Sequence, residues 1–246
     1  MQNTTNVALS RLTAQQRALD VTAGNIANAN TPGYRAERLA FSDFLVRARG
    51  RDIPQGAEVI HFTQDRASFR DRQIGPITHT ANTFDIALVG DGYFQVETPR
   101  GPRLTRAGHF ELSANGNVVN SDGHALLDAN GQKLQIATTD THITVSADGA
   151  ISSENGRIGR IGVVQPEDPY RMKPEGGRLF VAEGQVQPVE KPKMIQGAIE
   201  QSNVAPVVEL TRMMRELREF EFTSKMVQAE AERQQTAIDK LTQKRS

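Results

Sequence analysis

Residues Asn25 to Tyr34 read NIANANTPGY, and the layout of the whole chain turns on this stretch. The side chains of Asn28 and Asn30 compete with the helical backbone and tolerate left-handed conformations, so they favour a helix end. Thr31-Pro32-Gly33-Tyr34 suits a tight turn, in which Pro fixes one φ and Gly permits the next to be positive. Upstream, from about Thr5 to Ala29, Leu9, Leu12, Leu19, Ala23 and Ile26 recur at three-, four- and seven-residue spacings, the mark of one helix face that only Gln16 interrupts. A helix stopped at a set place and then turned is the expectation.

Downstream, Leu39 to Val46 carry Leu39, Phe41, Phe44 and Leu45, which predict a further amphipathic turn or two. From there to about Pro76 the chain reads as an extended connector with short strands. The middle, roughly Thr83 to Pro188, changes character. Short β-favouring runs such as FDIALV, YFQVET and HITVS alternate with Asn115-Gly116, Asp122-Gly123, Asn130-Gly131, Asp148-Gly149 and Asn155-Gly156. Asn-Gly and Asp-Gly supply the positive φ pair of two-residue hairpins, so this segment predicts an antiparallel, hairpin-rich all-β domain.

After VQPVEKPKM the chain turns helical from about Ala205. Leu210, Met213, Leu217, Phe220, Ser224, Val227, Ala231, Gln234, Ile238 and Leu241 alternate at three and four residues for more than four heptads. Ser224, Ala231 and Gln234 leave gaps in that seam. The expected class is α+β, with N- and C-terminal helices forming an α-helical coiled-coil region around the central β domain. Its divisions are 1–35 (helix and turn), 36–82 (connector), 83–190 (β domain) and 191–246 (connector and heptad helix).

Basic and acidic residues balance at 29 each, so nothing points to nucleic acid or an acidic membrane surface. Apolar residues make up 37% and Trp is absent, too little for one core over the whole length. Ordering about 60 terminal residues costs on the order of 1.5 kcal/mol each, more than two gapped helices offset alone. The terminal helices are therefore expected to be completed by neighbouring subunits, against the alternative of a helical hairpin within one chain.

Catalytic and cofactor chemistry find little support. There is no cysteine. His61, His79, His109, His124 and His142 form no HxH or HExxH pattern for zinc. Gly90-Asp91-Gly92-Tyr93 lacks the third glycine of a dinucleotide loop, and the Asp/Asn-Gly turns lack the twelve-residue calcium loop ending in Glu. No GxSxG elbow presents a serine. No catalytic residue, metal, cofactor or small-molecule substrate is expected, and the chain reads as a non-enzyme. A peptidoglycan-binding or hydrolysing periplasmic β-domain protein is the alternative of a different class, although no pair of acids is marked for glycosidic cleavage. No apolar run reaches the roughly 18 residues that span a bilayer, and no cleaved export signal is recognisable.

Three stretches together resemble the axial proteins of the bacterial flagellum. Asn25, Ile26, Ala27, Asn28, Asn30, Thr31, Pro32, Gly33 and Tyr34 resemble that family's basal-body rod signature. Leu104, Thr105, Arg106, Gly108 and Phe110, followed by Asn115, Gly116 and Gly123, resemble its shared β-domain motif. Ile199-Glu200-Gln201-Ser202-Asn203-Val204 is similar to the element that opens the last helix. The resemblance implies a subunit of the proximal rod, with the distal rod as the rival reading. It implies helical polymerisation into a periplasmic drive shaft with terminal helices inside and the β domain outside. It also implies that the partners are the chain itself, the other proximal and distal rod subunits and the flagellar type III export apparatus, which would export it without a cleaved signal. Leu12, Leu19 and Ile26, with Leu210, Met213, Leu217, Phe220, Val227, Ile238 and Leu241, are the expected assembly residues.

Overall fold

The computed structural model describes residues 2–47, 59–176 and 178–243, with side chains at 2–6, 41–47, 59–67, 237–238 and 241–243 outside the description. The chain forms two compact units, one from the described parts of Met1–Ala27, Glu37–Phe69 and Ala205–Ser246, the other from Asn28–Ala36 and Arg70–Val204.

The first unit holds two helices and a ribbon. Helix α1, Gln2–Ala27, stops where the asparagines begin, as the sequence predicts. Helix α2, Pro206–Gln243, opens on a proline, whose missing N–H costs nothing at that position, and carries Glu209 against the positive helix end. The two run antiparallel: the Thr22 hydroxyl donates to Glu216 at 2.9 Å and the Asn25 amide to Glu209 at 3.4 Å. Strands β1, Glu37–Arg47, and β2, Val59–Arg70, pair as a two-stranded sheet.

Two expectations change here. The amphipathic turn read at Leu39–Val46 is part of β1. Leu39, Phe41 and Leu45 also satisfy a period of two, and Asn25 captures the backbone at the start of this segment in extended form. Part of the expected connector is thus the long strand β2, and its residues 48–58 lie outside the described residues.

The second unit is the hairpin-rich β domain. Strands β3 (Ile77–His79), β4 (Ile86–Val89), β5 (Tyr93–Thr98) and β6 (Gly101–Thr105) lead into it. Its nine-stranded sheet runs Met172–Pro174, Leu179–Ala182, β6, β5, Ala125–Leu126, Val118–Asn120, Phe110–Leu112, while Val163–Pro166 branches from β5 to pair with Val186–Pro188. Every strand pairing registered in this unit is antiparallel. All five Asn-Gly and Asp-Gly dipeptides fall at hairpin connections; Gly116, at φ +77°, shows why glycine is needed there. Phe94 and Phe110 meet edge to face at 5.5 Å in the centre of a core that also contains Ile86, Val96, Leu126 and Ile161.

A stem of paired strands connects this core to the last motif. β4 pairs with Lys193–Gln196 and β3 with Ala198–Glu200. Between the two ladders, Thr80 N–H donates to Gly197 O at 2.7 Å, and Ala81 at φ +63° faces Gly197 at φ +70°. The buried Asp85 carboxylate steadies the bend, accepting from Thr80 Oγ1 at 2.5 Å and Asn82 Nδ2 at 3.2 Å and meeting His109 Nδ1 at 2.6 Å.

Candidate functional site: three motifs at one joint

The turn that follows α1 belongs to the β unit, and it is held there by backbone and by charge. Thr31 N–H donates to Asn28 O at 3.1 Å and Tyr34 N–H to Thr31 O at 3.2 Å, which closes the turn. Gly33 then donates its N–H to Glu200 O at 2.8 Å. Its φ is +70°, and a Cβ added there would lie 2.4 Å from Ala107 N, so both conformation and space require glycine. The signature glycine therefore lies directly against the middle motif and bonds to the last one.

The next residues complete the joint. Arg35, Arg106 and Glu200 are each at most 2% exposed. Arg35 Nη2 stands 3.7 Å from Glu200 Oε1, and Arg106 Nε 3.5 Å from Glu200 Oε2. Both guanidiniums also lie over the Tyr93 ring, at 5.7 and 5.5 Å from its centroid. Arg106 Nη2 donates to Gly90 O at 2.5 Å, and Arg70 Nη1 to Arg35 O at 2.9 Å. Burial pushes the Arg106 guanidinium below its ordinary value; Glu200 opposes that shift and Arg35 adds to it. Two cations thus share one carboxylate away from water.

Two asparagines tie the neighbouring backbone by the same device. Asn203 Oδ1 accepts from Ala36 N–H at 2.7 Å while its Nδ2 donates to Gln73 O at 2.9 Å. In the helical unit, Asn25 Nδ2 donates to Glu37 O at 2.9 Å and its Oδ1 accepts from Glu37 N–H at 2.8 Å. A side-chain amide offers a donor and an acceptor at peptide-like spacing, so Asn25 pairs with the one extended residue Glu37 as a strand would, and Asn203 bridges Ala36 and Gln73. Aspartate in its ionised form lacks the donor and alanine lacks both groups.

The remaining expected residues serve several roles. Leu104, Thr105 and Phe110 are buried, and Thr105 Oγ1 accepts from Ala107 N–H at 3.1 Å. Gly108 packs so closely that an added Cβ would lie 1.8 Å from Ile86 O. Asn115, Gly116 and Gly123 build hairpins away from the joint. Ile26, Asn28, Thr31, Pro32 and Tyr34 are half-buried, whereas Ala27 and Asn30 are exposed. On the helices, Leu19 is buried and Leu12 half-buried; Met213, Phe220 and Val227 are half-buried, but Leu210 and Leu217 are exposed. Glu209, Glu216 and Thr223 face α1 instead, so that face is more polar than the heptad reading expects. The side chains of Ile238 and Leu241 lie outside the described residues.

Arg35 and Glu209 carry no sequence signal of their own. Glu209 is buried, with Arg38 at 2.7 Å and Arg212 at 3.6 Å. Charged residues next to a turn or in the first turn of a helix read as solvated from sequence, and only their burial marks them. Among the described residues, no three His, Asp or Glu side chains gather as a metal site, and no helix is long and apolar enough to cross a membrane.

Comparison with known proteins follows the same three-part division. Residues 6–35 match the family described as Flagella basal body rod protein, 87–153 the Flagellar hook protein FlgE/F/G D1 domain, and 195–240 the Flagellar basal body rod FlgEFG protein C-terminal family. The chain is 35% identical to the flagellar basal-body rod protein FlgF of Caulobacter vibrioides over 98% of both chains. It is 32% identical to FlgF of Mesorhizobium japonicum over 99% of this chain and 100% of that one. FlgG of Agrobacterium fabrum is 31% identical over 90% and 92%. With full-length relatives at this identity and matches at both ends and the middle, the chain belongs to the flagellar basal-body rod protein family.

Proposed function

We propose that this chain is a structural subunit of the proximal rod that polymerises helically through its terminal helices into the torque-transmitting shaft of the flagellar basal body. The two FlgF relatives support the proximal place over the distal one, for which the FlgG relatives are the rival. In this reading the chain works in the periplasm, alongside other proximal and distal rod subunits, after delivery by the flagellar type III export apparatus without a cleaved signal. It performs no catalysis and takes no small-molecule substrate.

One observation carries the assembly reading. Along α2, Val207, Leu210, Met214 and Leu217 recur at three- and four-residue spacing and are 77, 52, 47 and 40% exposed. Against α1 the same helix presents Glu209, Glu216 and Thr223. An apolar stripe of heptad spacing turned away from the helix's own partner is suited to further helices in a coiled coil. Phe222 and Met226 line a separate groove with Val7 and Ala8, so the helical pair offers two different apolar faces. Distinct faces make a heterologous contact that need not close, which is the requirement for a filament.

The test is Leu210→Asp with Leu217→Asp in the full chain. The expected outcome is a monomer that melts as the parent does, no longer self-associates in sedimentation velocity at raised concentration, and fails to restore motility to cells lacking the native subunit. Wild-type motility and association from this variant would overturn the assignment.

A further inference from the structure

We infer that Arg35, Arg106 and Glu200 form a charge-deficient latch that fixes the turn 28–36 to the β domain only when the chain's C-terminal motif is in place. The inference is independent of how the helices associate, since all three side chains belong to the β unit. Each comes from a different motif: Arg35 directly follows the N-terminal signature, Arg106 lies in the middle motif, and Glu200 ends the strand Ala198–Glu200.

Bringing Arg35 beside Arg106 without Glu200 would place two cations together out of water, which costs far more than leaving Arg35 solvated. With Glu200 present the pair becomes tolerable but remains one anion short. Among the described residues, Arg35 Nε and Nη2, Arg106 Nε and Nη1, and Glu200 Oε2 are buried without a hydrogen-bond partner. The carboxylate therefore acts through charge at 3.5–3.7 Å rather than through a close bidentate bond. Glu200 also contributes the backbone oxygen that receives Gly33 N–H, and its Oε1 accepts from Gly75 N–H at 3.4 Å. Glu200 is a positioning residue. Its strand reaches the joint by pairing with β3, so a chain lacking residues 198–200 loses both the acceptor for Gly33 N–H and the carboxylate that the two arginines share. The latch thereby makes the fixed state of one end conditional on the arrival of the other.

The experiment is hydrogen exchange with mass spectrometry on the full chain, comparing peptides over 28–36 with peptides over β5 and β6 as the folding control. Glu200→Gln is expected to speed exchange in 28–36 at least tenfold while β5 and β6 keep their protection. Adding Arg106→Met to Glu200→Gln is expected to recover part of the lost protection, because one buried cation then remains instead of two. Arg106→Met alone is expected to be the mildest of the three. If the double variant exchanges as fast as Glu200→Gln or faster, the residues act by packing alone and the latch is wrong. Loss of β5 and β6 protection together with the turn would overturn it equally, since the cluster would then be one part of an undivided core.

Discussion

The β domain and the helical pair are built on opposite plans. In the β domain, Phe94, Phe110, Ile86 and Leu126 are buried against one another in an apolar core, and the buried charges Arg35, Asp85, Arg106 and Glu200 belong to its stem and joint. In the helical pair, Thr22, Asn25, Glu209 and Thr223 are buried at or near the contact, while Leu9, Leu210, Met214 and Phe222 face outwards. The first arrangement draws its stability from apolar burial within one chain. The second uses the contact within one chain for register, through the Thr22–Glu216 and Asn25–Glu209 hydrogen bonds, and leaves much of its apolar area exposed.

The largest way to break this contrast is Phe94→Ala. Removing a fully buried ring that meets Phe110 edge to face is expected to cost about 3–5 kcal/mol, read as a fall in the denaturation midpoint of the β domain. A loss under about 1 kcal/mol would mean that the core is not the source of stability described above.

A middle-sized test falls on the polar contact. Asn25→Ala removes two hydrogen bonds to the backbone of Glu37 and one to Glu209, at an expected cost of about 1–3 kcal/mol confined to the helical unit. Faster amide exchange at the start of β1, with unchanged exchange in β5, is the signature. An Asn25→Ala chain indistinguishable from the parent would remove the role assigned to the first signature residue.

The smallest effect sharpens the contrast. Burial pushes the Glu216 carboxyl up from its ordinary value, with the Thr22 hydroxyl opposing. A carboxyl raised in the folded state prefers its proton there, so stability falls as pH rises through the usual carboxylate range towards the raised value. Glu216→Gln keeps an oxygen for Thr22 and removes that ionisation. It is expected to raise the melting temperature at pH 7 by roughly 1–2 °C, with the gain vanishing at a pH low enough to protonate Glu216 in both states. A lower melting temperature at pH 7 would show the carboxylate to be favourable where it lies.

Much of this fold is legible because its signals are local. Hairpins at Asn115-Gly116 and Asp148-Gly149 follow from a local φ requirement, although the glycine alone takes the positive φ there rather than both residues of the pair, and α1 stops at Ala27 because the next residues disfavour continuation. β1 carries no such unambiguous local signal. Leu39, Phe41, Phe44 and Leu45 fit two periods over so short a run, and Asn25, twelve residues earlier, holds its first residue extended. The α2 seam shows the same limit from the other side. A heptad pattern reports that apolar positions share a face, yet Leu210 and Leu217 face away from α1 while Glu209 and Glu216 face towards it.

By itself the sequence determined the order of helix, turn, β domain and helix, the hairpins, the helix stop and the three motifs that mark the family. Only the tertiary structure decided that those motifs converge, that Arg35 and Arg106 are buried around Glu200, and which face of α2 is left open. The physical reason is range. Backbone preferences act over a few residues, whereas burial of a charge depends on groups brought together from positions 35, 106 and 200, and no local pattern records that meeting.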